Sequence, residues 1–189
     1  MRPGFADPVF GAQAGFSALM NAMARPGRIQ RCAVLQEPPP GLCPAAAAAL
    51  LTLADAETPL WTDAEGEVRE WIAFHSGAPL VAEPLRAQFL LATRGMPLLA
   101  ALDAGSDEAP QDSATLIVQV TALDDSAGWR LTGPGIQHGH RLAVAGLPDD
   151  FAAQWAANRA QFPRGVDVVL CTDTRLAALP RTTRITEDR

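Results

Sequence analysis

The sequence contains no lysine and no tyrosine, so all fifteen of its basic residues are arginines. A lysine amine is the group that forms a Schiff base with pyridoxal phosphate. Its absence excludes covalent attachment of that cofactor to this chain. We predict no cofactor.

Positive charge and long apolar runs are also scarce. The formal net charge is -6 at pH 7, which argues against a nucleic acid or an anionic membrane as partner. The longest apolar run, residues 45–51, is far too short to span a bilayer. The N-terminus opens onto no long apolar segment of the kind found in signal peptides. We therefore expect a cytoplasmic protein.

Cysteine is rare and widely spaced. Cys32, Cys43 and Cys171 are odd in number and lie far apart in the sequence. Such a set does not form a disulfide framework, and it favours reduced thiols in a cytosolic protein.

The composition is that of a globular protein. Hydrophobic residues make up 48% and charged residues 19% of the 189 positions, which predicts one ordinary domain over residues 1–189. Capping residues and helical periodicity predict helices over 9–24, 44–53, 67–74 and 97–102, and another starting at Pro148. Apolar, β-branched runs predict strands over 28–35, 89–92 and 166–171, whereas 137–146 is ambiguous.

The densest β-branched run, Thr115–Leu123, is too apolar to alternate, which indicates a central strand covered on both faces. Turn-forming residues follow over 124–128, and a second short run covers 129–132. This pattern predicts a hairpin. Together, the alternating elements predict an α/β fold, a single layered domain around a mixed β-sheet with flanking helices.

Several short segments, taken in order, resemble the PhnH family of the carbon–phosphorus lyase core complex, which acts in bacterial phosphonate catabolism. Each segment is weak alone, but the ordered set is specific and covers nearly the whole chain. The segments are Met23–Gly27, Leu50–Asp55, Thr58–Trp61, Phe74–His75, Ala78–Val81, Ser113–Ile117, Leu131–Ile136, Phe162–Asp167 and Leu179–Thr183.

The resemblance implies a fold similar to the core of pyridoxal-phosphate-dependent transferases, without the cofactor. It implies a homodimer that joins subunits G, I and J of the complex. That complex couples a phosphonate to the ribose of ATP and displaces adenine, giving α-D-ribose 1-methylphosphonate 5-triphosphate. The resemblance assigns no reaction to the PhnH proteins themselves, so we expect no complete catalytic site and predict no catalytic residue.

Arg181, Thr182, Thr183 and Arg184 form a candidate phosphate-binding segment, because guanidinium groups and hydroxyls suit phosphate oxygens. In an extended segment Arg181 and Thr183 would share one face, so all four residues could not converge on one anion. An edge strand or an inter-subunit contact is the alternative that we favour. Arg181 and Thr183 remain candidate ligand-binding residues.

Three histidines complete the candidates. His75 follows an apolar helix face and is either a ligand-binding or catalytic group or a satisfied structural residue. His138 and His140 lack further ligands at a recognisable spacing, so we predict no metal site and favour a solvated turn. Gly133-Pro134-Gly135 lacks the spacing of a phosphate loop and is expected to end a strand.

Two functions from different classes follow. The first is a non-catalytic, dimer-forming component of the phosphonate-processing complex. The second is a stand-alone phosphonate- or nucleotide-binding enzyme that uses His75 and the Arg181–Arg184 segment.

Overall fold

The structure, a computed structural model, describes residues 2–186. Its helices are α1 (Pro8–Ala24), α2 (Pro44–Leu53), α3 (Gly66–Ser76) and α4 (Phe151–Arg159). Its strands are β1 (Gln30–Arg31), β2 (Leu60–Thr62), β3 (Phe89–Ala92), β4 (Thr115–Gln119), β5 (Ala122–Thr132), β6 (His140–Ala145), β7 (Asp167–Thr172), β8 (Arg175–Leu179) and β9 (Arg184–Thr186).

Six strands form a mixed sheet in the order β1-β8-β7-β4-β3-β2. β2, β3, β4 and β7 run parallel, and β8 and β1 are antiparallel to their neighbours. Alternate residues enter two apolar layers: Ile117 packs with α1, α2 and α3, whereas Leu116 packs with α4. The α/β prediction with a mixed sheet and flanking helices is confirmed.

The central strand is confirmed, but the predicted hairpin is wrong. β4 lies between β3 and β7, whereas β5 runs through the predicted turn and pairs with β6 and β9 in a separate three-stranded sheet. Asp124 Oδ1 accepts hydrogen bonds from Ser126 N and Oγ at 2.8 and 2.6 Å, and the β5–β6 register shifts between Asp124 and Trp129. The turn-forming residues therefore build a bulge inside one strand and do not reverse the chain.

Four of the five predicted helices are present with small changes at their ends. Asp7 caps α1 through its side chain, with Pro8 in the first turn, as the sequence predicted. The predicted helix over 97–102 is a 3-10 turn, Leu99–Ala101. The predicted strand over 28–35 shrinks to Gln30–Arg31, because only those residues pair with β8. The ambiguous segment 137–146 contains β6.

α1 exposes an unusual surface. The helix contains no charged residue, and Val9, Phe10, Phe16 and Met20 are each more than half exposed. Large exposed apolar side chains grouped on one element are typical of a protein contact. Within residues 2–186, no helix is both long enough and apolar enough to cross a membrane.

Polar residues gather at both ends of the strands in the six-stranded sheet. β4 and β7 begin, and the antiparallel β8 ends, at one edge, so Ser113, Asp167 and Arg181 meet there. The carboxyl ends of β2, β3 and β4 lie at the opposite edge, which brings Asp63, Thr93 and Gln119 to it.

Candidate functional site

Arg181 is the centre of a partly buried polar cluster, which we call the Arg181 cluster. Its Nη1 donates to the carbonyl oxygens of Pro110 and Gly165, both at 2.8 Å, and to Ser113 Oγ. Its main-chain N donates to Asp167 Oδ1 at 2.6 Å, and its Nη2 lies 3.8 Å from Asp167 Oδ2. Segments that carry the family resemblance thus meet around one guanidinium group.

The electrostatics of this cluster depend on burial. Burial raises the pKa of Asp167, and the hydrogen bond from Arg181 N and the Arg181 charge offset this only in part. A carboxylate in such a position needs its cation, because an unpaired charge in a buried site is strongly destabilising. The geometry therefore gives Arg181 a structural role, and its donors are used inside the protein.

Thr183 does not share an extended face with Arg181. Thr183 N donates to Pro180 O at 2.7 Å in a turn, and the extended strand β9 starts only at Arg184. Thr183 is buried, its carbonyl accepts from Trp155 Nε1 at 2.8 Å, and its Oγ1 has no hydrogen-bond partner within residues 2–186. β9 is an edge strand of the small sheet and contains only Arg184 of the four residues, so the edge strand that the sequence favoured is present for Arg184 alone.

His75 lies near the end of α3, away from the Arg181 cluster. Its Nε2 is 3.0 Å from Arg2 O, and because a carbonyl only accepts, Nε2 carries the proton. The ring packs on Trp71 with centroids 4.7 Å apart and meets Phe74 edge-on. No carboxylate or nucleophile contacts it in the described chain, so the ligand-binding role of His75, Arg181 and Thr183 stays a prediction.

The other histidines are structural or exposed. His140 Nδ1 donates to Pro26 O at 2.7 Å, and Nε2 accepts from Arg28 Nε at 3.3 Å. Both ring nitrogens of His140 therefore already have partners, which fits a neutral imidazole. Between residues 2 and 186, no group of three or more His, Cys, Asp or Glu side chains could hold a metal ion.

The three free cysteines are distant in sequence but near one another in the fold. Cys32 N bonds to Thr174 O beside β7, and Cys43 N bonds to Gln119, the residue that pairs with Cys171. Burial raises the pKa of all three thiols, that of Cys32 to about 11. A thiol with a raised pKa is a poor nucleophile at neutral pH, so the cluster packs the core and supplies no reactive thiolate.

Asp63 organises the opposite edge of the sheet, and the sequence reasoning missed it. Its Oδ1 accepts from Thr93 N and Oγ1 at 2.7 and 2.8 Å, and its Oδ2 accepts from Arg94 N and Gly95 N at 2.9 and 3.0 Å. Partial burial acts to raise the pKa of Asp63, but these donors outweigh it and hold the pKa below its usual range. The signal available in the sequence was the position of Asp63 directly after the short extended segment that forms β2.

This lowered pKa predicts a pH-dependent contribution to stability. A carboxylate whose folded pKa lies below the unfolded value stabilises above the unfolded pKa, about 3.9, and loses that effect as pH falls through the folded pKa. Asp63→Asn is therefore expected to cost about 1–3 kcal/mol in the free energy of unfolding at neutral pH. The difference from wild type should shrink below the ordinary aspartate pKa, as followed by urea unfolding across pH. Asp125→Asn, at an exposed position, is the control, and a pH-independent cost for Asp63→Asn would contradict the prediction.

A further group of polar residues lies beside the Arg181 cluster. One cavity of ≈ 110 Å³ between α4 and β9, which we call the Arg159 cavity, is lined by Ala152, Trp155, Ala156, Arg159, Arg184 and Ile185. A neighbouring cavity of ≈ 180 Å³ is lined by Pro134, Arg159, Phe162 and Thr182. Of the predicted phosphate-binding segment, Arg184 reaches the first cavity and Thr182 the second. Arg159 had no distinguishing signal in the sequence.

Comparison with known proteins identifies the family. Residues 3–186 match the family described as bacterial phosphonate metabolism protein (PhnH). A protein from Rhizobium meliloti (strain 1021), named alpha-D-ribose 1-methylphosphonate 5-triphosphate synthase subunit PhnH, is 42% identical over 186 residues, which cover 96% of this chain and 93% of that protein. A protein from Stutzerimonas stutzeri, named putative C-P lyase subunit protein HtxG, is 34% identical over 177 residues, which cover 92% and 85%. The chain belongs to the PhnH family.

Proposed function

We propose that this chain is a subunit of the carbon–phosphorus lyase complex and supports formation of α-D-ribose 1-methylphosphonate 5-triphosphate from ATP and a phosphonate. The observation that carries the proposal is the similarity to the Rhizobium meliloti protein over 96% of the chain. Similarity of that extent leaves no large segment of this chain without a counterpart.

The geometry supports a subunit without a complete catalytic site of its own. His75, Arg181 and the three cysteines are engaged in contacts within the protein or have raised thiol pKa values. General acid–base catalysis needs a group within hydrogen-bond reach of a second reacting group. The described residues bring no such pair together around His75.

The partners are part of the proposal. We infer a cytoplasmic homodimer that joins subunits G, I and J, and the uncharged, exposed apolar side chains of α1 support association with protein. We also propose that the sheet with its flanking helices resembles the core of pyridoxal-phosphate-dependent transferases. The lysine-free sequence means that such a likeness would not extend to the covalent cofactor.

Co-purification tests the assembly. When the tagged chain is produced together with subunits G, I and J, we expect all three to be recovered with it, and light scattering of the chain alone should give the mass of a dimer. An unrelated tagged protein produced with the same three subunits is the control for nonspecific recovery. Recovery of none of the three with the tagged chain would contradict the proposal.

A stand-alone enzyme that uses His75 and the Arg181–Arg184 segment is the second candidate. Its support is weaker, because within residues 2–186 His75 and Arg181 have no hydrogen-bond partner in common and the donors of Arg181 are engaged. Turnover of ATP with methylphosphonate by the purified chain, freed of the other subunits, would favour this candidate over the first.

A further inference from the structure

Arg159 and Arg184 are two cations that face the same small cavity. Both line the Arg159 cavity, whose lining within the described chain includes no carboxylate. Among residues 2–186, neither guanidinium forms an ion pair, whereas Arg164 pairs with Asp107 and Arg181 with Asp167. Two like charges that share a concave site repel each other, and an anion between them removes that repulsion.

One donor beside this site is desolvated and unused. The Nε atom of Arg159 is buried and has no hydrogen-bond partner in the part of the chain that the structure describes. Burying a polar donor without an acceptor costs free energy, and a ligand in the cavity recovers it when the Arg159 side chain turns Nε toward the ligand. Arg159 ends α4, where a cation is favoured by the helix dipole. The dipole explains the charge at that position, but it gives the Nε proton no acceptor.

The backbone around the pair is held by hydrogen bonds and strand pairing. Trp155 lines the cavity and is held by the hydrogen bond from its Nε1 to Thr183 O, one residue before Arg184. Arg184 itself belongs to β9, which pairs with β5 through Thr132. Both arginines therefore start from elements whose positions are set by the fold, which lowers the cost of organising them around a ligand.

We propose that Arg159 and Arg184 form a binding site for a small tetrahedral oxyanion, the phosphoryl or phosphonyl group of a phosphate or phosphonate. Planar guanidinium forks match the oxygens of such groups and can bind them in a bidentate manner. Thr182, Phe162 and Pro134 line the adjoining cavity on the other side of Arg159, which gives an organic substituent of the anion a place next to the charged group. The site goes beyond the proposed function, because it requires no other subunit.

Calorimetric titration of the full chain tests the site, with inorganic phosphate, methylphosphonate and ATP as separate ligands and acetate as a planar anion. We expect binding of at least one phosphoryl or phosphonyl ligand, and Arg159→Gln and Arg184→Gln should each weaken it by about tenfold or more. Tighter binding of methylphosphonate than of phosphate would identify the phosphonate as the better ligand. Arg69→Gln, which changes an exposed arginine of α3, is the matched charge control.

Thermal unfolding supplies a second readout that does not depend on heat of binding. The ligand should raise the melting temperature of wild type and of Arg69→Gln, and the rise should be smaller in Arg159→Gln and Arg184→Gln at the same ligand concentration. Without ligand, Arg159→Gln should be at least as stable as wild type, because it removes an unsatisfied donor and a cationic repulsion.

Absence of binding to wild type, equal binding of acetate, or an equal loss of affinity in Arg69→Gln would overturn the proposal. Loss of co-purification with subunits G, I and J bears only on the proposed function, so the two can fail independently.

Discussion

Replacing Arg181 with methionine is expected to lower the free energy of unfolding by about 3–5 kcal/mol, because it leaves the mostly buried carboxylate of Asp167, 16% exposed, without its cation and three further acceptors without a donor. Methionine keeps much of the length and apolar volume of the arginine stem. It removes the donors that reach Pro110 O, Gly165 O and Ser113 Oγ. Urea unfolding followed by circular dichroism measures the loss.

A double-mutant cycle separates the charge pair from the other contacts. Asp167→Asn keeps an oxygen that accepts from Arg181 N and removes a carboxylate whose pKa is raised by burial, so its own cost should be smaller. The double variant should lose less than the sum of the single variants, with a coupling of about 0.5–3 kcal/mol. Arg86→Met is the control, because Arg86 pairs with Glu83 at an exposed site and is expected to change nothing measurable. An effect of Arg181→Met no larger than that of Arg86→Met would contradict the structural role and favour the ligand-binding role of Arg181.

Four helices and the parallel strands β3, β4 and β7 followed from local signals that the structure bears out. Asp7 before Pro8 marks the start of α1, and the β-branched run from Thr115 marks β4 because a strand covered on both faces cannot alternate. The start of a helix and the position of a buried strand depend on residues only a few positions apart. Sequence periodicity and capping residues reveal contacts at this short range, so α1 and β4 could be predicted.

Strand pairing and the role of Arg181 depend on contacts between residues that are distant in the sequence, and local sequence patterns do not reveal such contacts. The residues over 124–128 have good turn chemistry, yet the pairing of β5 with β6 makes them a bulge. The acceptors of Arg181 Nη1 include carbonyls 71 and 16 residues away in the sequence. The sequence analysis assumed an extended backbone over Arg181–Arg184, but the chain turns between Pro180 and Thr183. Arg184 follows this turn and lines the cavity beside Arg159.

Trp155 should rank with Arg181 among the residues most important for stability, and Trp155→Ala is expected to cost about 3–5 kcal/mol in the free energy of unfolding. The side chain is only 1% exposed and stacks on Phe151 with ring centroids 6.1 Å apart. Its removal leaves a large void in the apolar layer around α4. Chemical unfolding monitored by circular dichroism gives the value, with Phe10→Ala, an aromatic that is 69% exposed, as the control.

Trp155→Phe isolates the hydrogen bond from the packing. Phenylalanine keeps most of the apolar contact but cannot donate to Thr183 O, so an expected cost of about 1–3 kcal/mol reports the unpaired carbonyl. That carbonyl precedes Arg184, so losing its donor should also loosen β9 and weaken oxyanion binding in the Arg159 cavity, which Phe10→Ala should leave unchanged. If Trp155→Phe matches wild type in both stability and ligand affinity, the indole hydrogen bond does not hold β9 in position, and packing alone must account for the effect of Trp155→Ala.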